Sequence, residues 1–223
     1  MPEFQITKKL LDMPLCQGLS TSDLHEIIGH TKFDFRKHEP GQTIAREGER
    51  CLGIIFLLSG DMTAITSSTD NLFTVTEQLG APMTIQPERM FGRDQAYTST
   101  FKAQTPCSTL WLNKKEVATL QRNYEVIHIN LTNHYATAIQ RQWQRQWTAA
   151  DPTLRARILD FLTTHTTTPE GPKRFSLTMA TLAKILNDSR LNISKQLNTM
   201  QREGLLTLAR STIVVPAIER LTP

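Results

Sequence analysis

The chain has 223 residues, enough for one large domain or two modest ones. It contains no apolar run of about 18 residues and no N-terminal signal peptide, so we expect no transmembrane helix, no membrane partner and a cytoplasmic location. The net charge of +4 is uneven: residues 1–150 carry 15 basic and 15 acidic side chains, whereas residues 151–223 carry 10 and 6. This asymmetry favours a polyanionic partner for the last third of the chain.

The first half of the chain predicts short helices followed by many short strands. Residues 4–30 fit short helices, with Ser20 or Thr21 as an N-terminal cap. Between residues 33 and 112, β-rich runs alternate with turn residues, which is typical of an antiparallel sandwich or jelly roll. The predicted strands cover residues 33–35, 43–45, 54–58, 62–66, 72–76 and 108–112.

Two helices are predicted next, over residues 114–123 and 124–147. The second is long because the stretch contains neither Pro nor Gly, and its apolar side chains recur every three or four residues. Such a stripe must be covered, either by the helix's own sandwich or by a second copy of the same helix. We favour a homodimer whose interface contains Ile127, Leu131, His134, Tyr135 and Ala138.

A hinge is predicted where the helical pattern breaks, at residues 148–152. Asp151 followed by Pro152 combines a helix cap with proline in the first turn, so a new domain would begin there with an amphipathic helix over residues 154–165. The predicted organisation is therefore a first domain over residues 1–123, a long helix and hinge over residues 124–150, and a C-terminal domain over residues 151–223.

A helix-turn-helix is predicted between Thr178 and Gly204. Thr178 can cap the first helix, Asn187-Asp188 makes the turn, and Ser189 can cap a second helix that ends at Gly204. Two short helices joined by a three- or four-residue turn match the DNA-binding motif, although other helical hairpins look similar.

The outward positions of the second helix suit a DNA groove. Arginine can bond guanine and asparagine can bond adenine, each with two hydrogen bonds, whereas serine and lysine can bind phosphates. Residues 205–208 and 212–215 then predict a two-stranded wing with Arg210 near its turn. The DNA-binding candidates are Thr178, Ser189, Arg190, Asn192, Ser194 and Lys195.

No pattern in the chain indicates catalysis or a metal site. The cysteines Cys16, Cys51 and Cys107 are widely spaced and odd in number, so we expect three reduced thiols rather than a disulfide framework or a cysteine-only metal site. The sequence has no nucleotide-binding loop, no nucleophile elbow and no clustered metal ligands. We therefore predict that the protein is not an enzyme, with no catalytic and no metal-binding residues.

Four motifs occur in a consistent order along the chain. Residues 40–49 read PGQTIAREGE, and residues 54–62 read IIFLLSGDM. Phe91-Gly92 follows, and the predicted winged helix-turn-helix ends the series. In this order and spacing the motifs resemble those of the CRP/FNR family of bacterial transcription regulators, in which the first two belong to a β-roll and the third begins the effector cassette.

The resemblance implies an α+β fold: an N-terminal jelly-roll-like β-roll sensor domain, a long dimerisation helix and a C-terminal winged helix-turn-helix domain. It implies a homodimer on near-palindromic double-stranded DNA, with RNA polymerase as a further partner if the protein is an activator. Arg190 and Lys195 match positions that commonly contact DNA in the family. Leu191 replaces a glutamate that reads a base in many members, and leucine cannot accept a hydrogen bond from cytosine.

Members that bind cyclic nucleotides use a glutamate for the ribose and an Arg-Ser pair for the cyclic phosphate. The resemblance puts Arg93 at the glutamate position and Tyr97-Thr98 at the Arg-Ser positions. Without its arginine a phosphate loses a charge-assisted contact, so we do not expect cyclic AMP to bind in the usual way. The effector-pocket candidates are Gly92, Arg93, Tyr97 and Thr98, together with the positions that meet adenine in those members, Arg141 and Gln142.

The cofactor is therefore unknown at this stage. Haem is one option, with His38, His128, His134 or a cysteine as axial ligand. Redox sensing by an exposed thiol and regulation without any ligand are the others. For the protein as a whole we predict a sequence-specific transcription regulator. The alternative is a β-roll ligand-binding module that controls a protein partner, although such a docking face should show apolar anchors where the second helix is polar.

Overall fold

The structure, a computed structural model, describes residues 3–147 and 153–221, with side chains from residue 7 to 144 and from 153 to 221. The hinge predicted at residues 148–152, with Asp151 and Pro152, lies outside the described residues. The chain forms two compact units, Met1–Met62 with Leu79–Gln146 and Thr63–Gln78 with Trp147–Pro223. Within the described part, no helix is both long and apolar enough to cross a membrane.

Seven α-helices, eleven strands and three short 3-10 helices make up the described secondary structure. The helices are α1 (Glu3–Leu11), α2 (Thr21–His30), α3 (Lys114–Asn123), α4 (Glu125–Trp147), α5 (Leu154–Thr164), α6 (Met179–Ile185) and α7 (Arg190–Arg202). The strands are β1 (Asp34–His38), β2 (Thr43–Ala45), β3 (Gly53–Ser59), β4 (Asp61–Ser67), β5 (Thr74–Gly80), β6 (Met83–Ile85), β7 (Thr100–Ala103), β8 (Cys107–Asn113), β9 (Lys173–Ser176), β10 (Thr207–Ala209) and β11 (Thr212–Val215).

The first unit is a β-roll preceded and followed by helices. Strands β1, β8, β3 and β6 form an antiparallel sheet in that order, and β2 pairs with β7. Strand β3 is buried over its whole central part, because side chains from both of its faces enter the core. The predicted strand series is confirmed, but β6 and β7 are additional, since three- and four-residue strands are too short to show a clear alternation.

Side-chain caps fix where the helices of the first unit begin. Ser20 caps α2 as predicted: its Oγ accepts from the backbone N of Asp23 at 3.1 Å, and the Asp23 carboxylate accepts from Ser20 N at 3.0 Å. This reciprocal pair is a capping box. Asn113 caps α3 in the same sense, through Oδ1 and the backbone N of Glu116 at 3.0 Å.

One stripe of the long helix α4 packs within its own unit. Ile127 and Leu131 are 7% and 0% exposed, and with residues of α1, α2 and β3 they line an apolar cavity of about 30 Å³. A space of that size holds little more than a water-sized group, so this region is core rather than a ligand pocket.

The second unit is a helical domain with a small antiparallel sheet. The cap of α5 is Thr153, whose Oγ1 accepts a hydrogen bond from Ala156 N at 3.2 Å, so the prediction that Asp151 caps this helix is wrong. Strands β10, β11 and β9 pair in that order. The core is made by α5, α6, α7 and the sheet, with fully buried side chains that include Ile158, Leu162, Phe175, Leu182, Ile193 and Leu197.

Residues 63–78 belong to this second unit, although residues 79–146 separate them from the rest of it in the chain. Strand β5 extends the sheet by pairing antiparallel with β9, which would otherwise be an open edge. Phe73 and Val75 enter the core, and the Phe73 ring meets the Phe161 ring edge-on at 5.2 Å between centroids. From the sequence these residues are predicted to belong to the N-terminal domain, because the predicted boundaries follow the order of elements along the chain.

A buried ion pair joins β5 to β9. Lys173 Nζ lies 2.9 Å from Glu77 Oε1, and the two side chains are 0% and 1% exposed. The Glu77 carboxylate also accepts hydrogen bonds from the backbone N and the hydroxyl of both Thr167 and Thr168. Burial alone would raise the pKa of Glu77, but Lys173 and the Thr167 hydrogen bonds outweigh it and lower the pKa. The buried carboxylate of Glu77 is therefore charged, and Lys173 and the two threonines compensate its charge.

Candidate functional site

The helix-turn-helix is built by local caps, as predicted. Thr178 Oγ1 accepts from Thr181 N at 3.0 Å at the start of α6, and Ser189 Oγ accepts from Asn192 N at 3.1 Å at the start of α7. The turn between the helices needs a left-handed residue, which Asn187 supplies with φ of 48°. These bonds fix the direction in which α7 leaves the turn.

Asp188 and Arg157 hold this turn in place; Asp188 was predicted as part of the turn, but its bond to Arg157 was not predicted. Arg157 of α5 donates to the carbonyl of Leu186 and, through Nη2, to Asp188 Oδ2 at 2.6 Å. The other carboxylate oxygen, Oδ1, accepts from Ser189 N at 2.8 Å and from Asn192 Nδ2 at 2.9 Å. The hydrogen bonds from Asn192 and Arg157 lower the pKa of Asp188. An acidic residue directly before a serine cap was the available signal.

The two faces of α7 differ sharply in exposure. Ile193, Leu197 and Met200 are each 0% exposed and anchor the helix to the core. At 3.6 residues per turn, the positions directly opposite this face are Leu191, Lys195, Asn198 and Arg202, all of them exposed. The outer face is therefore mixed and basic, with one leucine in its first turn.

The six predicted DNA-binding residues cluster around the two helix starts. Five of them are exposed, and Ser194 is half-buried. Ser194 accepts from Asn198 Nδ2 at its carbonyl oxygen (2.7 Å) and at Oγ (3.4 Å). Asn192 donates its Nδ2 to Asp188, so reading adenine with two hydrogen bonds would require that bond to open.

A cleft of about 500 Å³ lies between the start of α6, the start of α7 and the wing. Its lining includes Thr178, Arg190 and, from the wing turn, Arg210. Three basic residues of the second unit are used internally: Arg155 pairs with Glu203, Arg157 with Asp188 and Lys173 with Glu77. By contrast, no described residue forms an ion pair with Arg190, Lys195 or Arg210. Arg190 and Arg210 at this cleft and Lys195 on the neighbouring face of α7 therefore keep charges that no ion pair among the described residues neutralises.

The effector-pocket candidates of the first unit lie in two different environments. Gly92 and Arg93 are exposed, as are Arg141 and Gln142 on α4. Tyr97 is buried, and burial together with Cys51 raises its pKa. Thr98 is bonded twice to Gln86, whose Nε2 donates to Thr98 Oγ1 at 2.6 Å and whose Oε1 accepts from Thr98 N at 3.0 Å.

These groups do not fit a cyclic phosphate. Tyr97, the residue that the resemblance puts at the position of the phosphate-binding arginine, is packed in the core with its ring 6.5 Å from that of Phe101. The hydroxyl that would assist it, on Thr98, is already engaged by Gln86. A buried phosphate here would lack a charge-assisted donor.

The five dimer-interface candidates lie on one face of α4 but differ in exposure along the helix. Ile127 and Leu131 are buried in their own unit, so they have no surface left to offer a second copy. Tyr135 is half-buried and donates its hydroxyl to the carbonyl of Pro87 at 3.2 Å. His134 and Ala138 are exposed.

A second apolar stripe of α4 is free. Ile129, Ile139 and Trp143 are 46%, 55% and 65% exposed. With the half-buried Ala136, Ile129 and Trp143 repeat every seven residues, and Ile139 occupies the intermediate position. This is the a/d spacing of a coiled-coil seam. Periodicity suggested one stripe, whereas α4 carries two.

The groups considered for haem or redox sensing are mostly occupied. All three cysteines are free and buried, as predicted for reduced thiols. Burial raises the pKa of Cys16 to about 12, and burial also raises that of Cys107. His38 Nε2 lies 2.9 Å from Thr109 Oγ1, and burial and Arg36 lower its pKa. Across the described residues, no three His, Cys, Asp or Glu side chains are grouped to hold a metal ion.

Comparison with known proteins divides the chain in the same order. Residues 35–124 match the family model described as cyclic nucleotide-binding domain, and residues 156–223 match the Crp-like helix-turn-helix domain. No protein of curated function matches the chain.

Solved structures share this fold at low sequence identity. The Thermus thermophilus catabolite activator protein has 18% identity and a TM-score of 0.52, over 93% of this chain and 96% of that one. The sensor domain of the transcriptional regulator DNR from Pseudomonas aeruginosa has 19% identity and a TM-score of 0.53, over 68% of this chain and 98% of that one.

Proposed function

Because the chain belongs to the CRP/FNR family of transcription regulators, we propose that it acts as a homodimer that binds near-palindromic double-stranded DNA in a sequence-specific way. The observation that carries the proposal is the exposed face of α7, where Arg190 and Lys195 form no ion pair with any described residue. Residues 1–123, apart from residues 63–78 that belong to the second unit, would form the sensor domain, residues 124–150 the dimerisation helix and hinge, and residues 151–223 the DNA-binding domain.

The residues of the cleft divide into two roles. Arg190 begins the second helix of the motif and would bond a guanine edge in the major groove. Thr178, Ser189, Ser194 and Lys195 would contact phosphates and set the register of the protein on the duplex. Asn192 is a weaker candidate for base reading, because its amide stabilises Asp188. Arg210 in the wing adds a positive charge that suits the DNA backbone.

The dimer would form through the free stripe of α4. Ile129, Ala136 and Trp143 would occupy a positions and Ile139 a d position of a short parallel coiled coil. Two copies paired in this way would present two α7 helices about 34–36 Å apart, one turn of DNA, and the operator would mirror their symmetry. Ile127 and Leu131 would serve the packing of α4 in its own protomer.

The protein would control transcription by binding rather than by catalysis. It would work where the DNA is, in the cytoplasm, and would contact RNA polymerase if it activates. Its sensor domain would not take cyclic AMP in the usual way, since Tyr97 and Thr98 are engaged internally.

Analytical ultracentrifugation of the full chain tests the dimer, coupled to fluorescence anisotropy with a random duplex at two salt concentrations. We expect the wild type to sediment as a dimer and to bind DNA more weakly as salt rises. The double variant Ile139→Glu, Trp143→Glu buries two like charges in the seam and should be monomeric with weaker DNA binding. The matched control Thr137→Glu is on the same helix outside the stripe and should stay dimeric. A monomeric wild type, or a dimeric double variant, would contradict dimerisation through this stripe of α4.

A further inference from the structure

Leu191 stands out on the outer face of α7. It is 63% exposed, whereas the other exposed large apolar side chains of the second unit, Leu72 and Ile185, are 40% and 37% exposed. It follows Arg190 directly and lies one turn before Lys195. An apolar side chain therefore occupies the middle of the surface that carries the unpaired basic residues.

The helix geometry leaves Leu191 pointing outward. Each residue turns the helix by about 100°, so Leu191 lies about 160° around the helix axis from the buried Ile193, on the side facing away from the core. Ser189 fixes the first turn through its bond to Asn192 N, and Asp188 fixes the turn before it. The start of α7 is thus rigid, and the direction of the Leu191 side chain is set by the backbone.

The chemistry of leucine limits what it can read in a groove. It has no hydrogen-bond donor or acceptor, so it cannot recognise guanine, adenine or cytosine by their polar edges. The apolar group that a base edge presents in the major groove is the C5 methyl of thymine. The N-terminal residues of the second helix are those that reach base edges in this motif.

We propose that Leu191 is a specificity-determining residue that packs against the C5 methyl of one thymine in each half-site. The proposal rests on the proposed function, because it requires α7 to lie in the major groove. Leu191 selects thymine by apolar contact, next to a base read by Arg190 and a phosphate held by Lys195. Burying one methyl in this way increases affinity about fourfold, and roughly 15-fold when both half-sites are counted.

Replacing each thymine of the bound duplex in turn by deoxyuridine tests the proposal, because this change removes only the methyl group. We expect one thymine per half-site at which the replacement weakens binding of the wild type about fourfold. In Leu191→Ala that difference should disappear, while the response to every other replacement stays the same. Because Leu191 is exposed, the variant should unfold at the same temperature as the wild type, which circular dichroism checks.

A second variant guards against a general loss of binding. Leu191→Glu should transfer the preference at the same position from thymine to cytosine, because a glutamate carboxylate can accept a hydrogen bond from the N4 amino group of cytosine. The proposal is overturned if no deoxyuridine replacement affects the wild type, or if the same replacement weakens Leu191→Ala equally. Absence of any sequence-specific binding by the wild type is a different result, since it contradicts the proposed function itself and the inference falls with it.

Discussion

The helix-turn-helix and the segment around Tyr97 differ in whether their polar side chains have partners within the chain. At the helix-turn-helix, Arg190 and Lys195 are exposed and form no ion pair with a described residue. In the predicted effector segment, Tyr97 is buried and Thr98 is bonded to Gln86 through both its hydroxyl and its backbone N–H. The helix-turn-helix leaves two cations available for a partner, whereas Thr98 has used its hydroxyl and its backbone N–H within the chain.

This difference indicates where a partner would gain most. Binding of a polyanion to unpaired cations breaks no bond within the protein and releases counterions. A ligand at Thr98 would first have to displace Gln86 and replace two hydrogen bonds that are already made. Membership of a family with a cyclic nucleotide-binding domain therefore does not carry the phosphate chemistry to these positions of this chain.

The largest expected effect is on stability, and it comes from comparing a buried lysine of the second unit with an exposed one. Lys173→Met leaves the buried carboxylate of Glu77 without its cation and should lower the free energy of unfolding by about 3–5 kcal/mol. The matched change Lys195→Met, on the exposed face of α7, should stay within about 0.5 kcal/mol of the wild type. Urea denaturation of the full chain at neutral pH measures the free energy of unfolding of both variants. Equal decreases would show that burial does not determine the cost of removing a lysine.

The ion pair between Glu77 and Lys173 also predicts how stability changes with pH. The pKa of Glu77 is lowered in the folded protein, so its stabilisation is present above the ordinary carboxylate pKa and is lost as the pH falls below it. The difference between the wild type and Lys173→Met should therefore shrink as the medium is acidified.

The next effect sharpens the division of roles on α7. Arg190→Ala should cost about 1–3 kcal/mol of binding to the selected site and relax the preference at one base. Lys195→Met should weaken selected and random duplexes alike and reduce the slope of log affinity against log salt by about one. Anisotropy titrations over a range of salt concentrations distinguish the two, and identical behaviour of both variants on both duplexes would contradict the assignment.

The smallest effect is an expected absence of response. Adding cyclic AMP should change the affinity of the full chain for DNA by less than about twofold, because the phosphate position lacks an arginine. The variant Thr98→Val removes the hydroxyl without adding charge and should behave in the same way. A clear increase in affinity with cyclic AMP that Thr98→Val abolishes would show that the segment opens to a ligand, and the comparison would fail.

The parts of the fold that depend on neighbouring residues were predictable, and the parts that depend on distant ones were not. The caps at Ser20, Thr178 and Ser189 have local signatures, and the helices they begin are confirmed. The pairing of β5 with β9 has no such signature, because it joins segments about a hundred residues apart in the chain.

The candidate site shows the same limit. Periodicity showed that α4 has an apolar stripe but not that Leu131 faces the protomer's own core while Trp143 stays exposed. Residue type suggested Asn192 for adenine, but only the structure shows its amide bonded to Asp188. The roles of the six DNA-binding residues and of the effector-pocket residues stay predictions.

Selection of binding sites from random duplex DNA tests the central claim most directly. The full chain would be used at two salt concentrations, with and without the small-molecule fraction of a cell extract so that an effector is supplied. The account predicts enrichment of a near-palindrome whose half-sites are about 10 base pairs apart. Enrichment of no sequence under any of these conditions, or of a single asymmetric half-site, would contradict a sequence-specific homodimer.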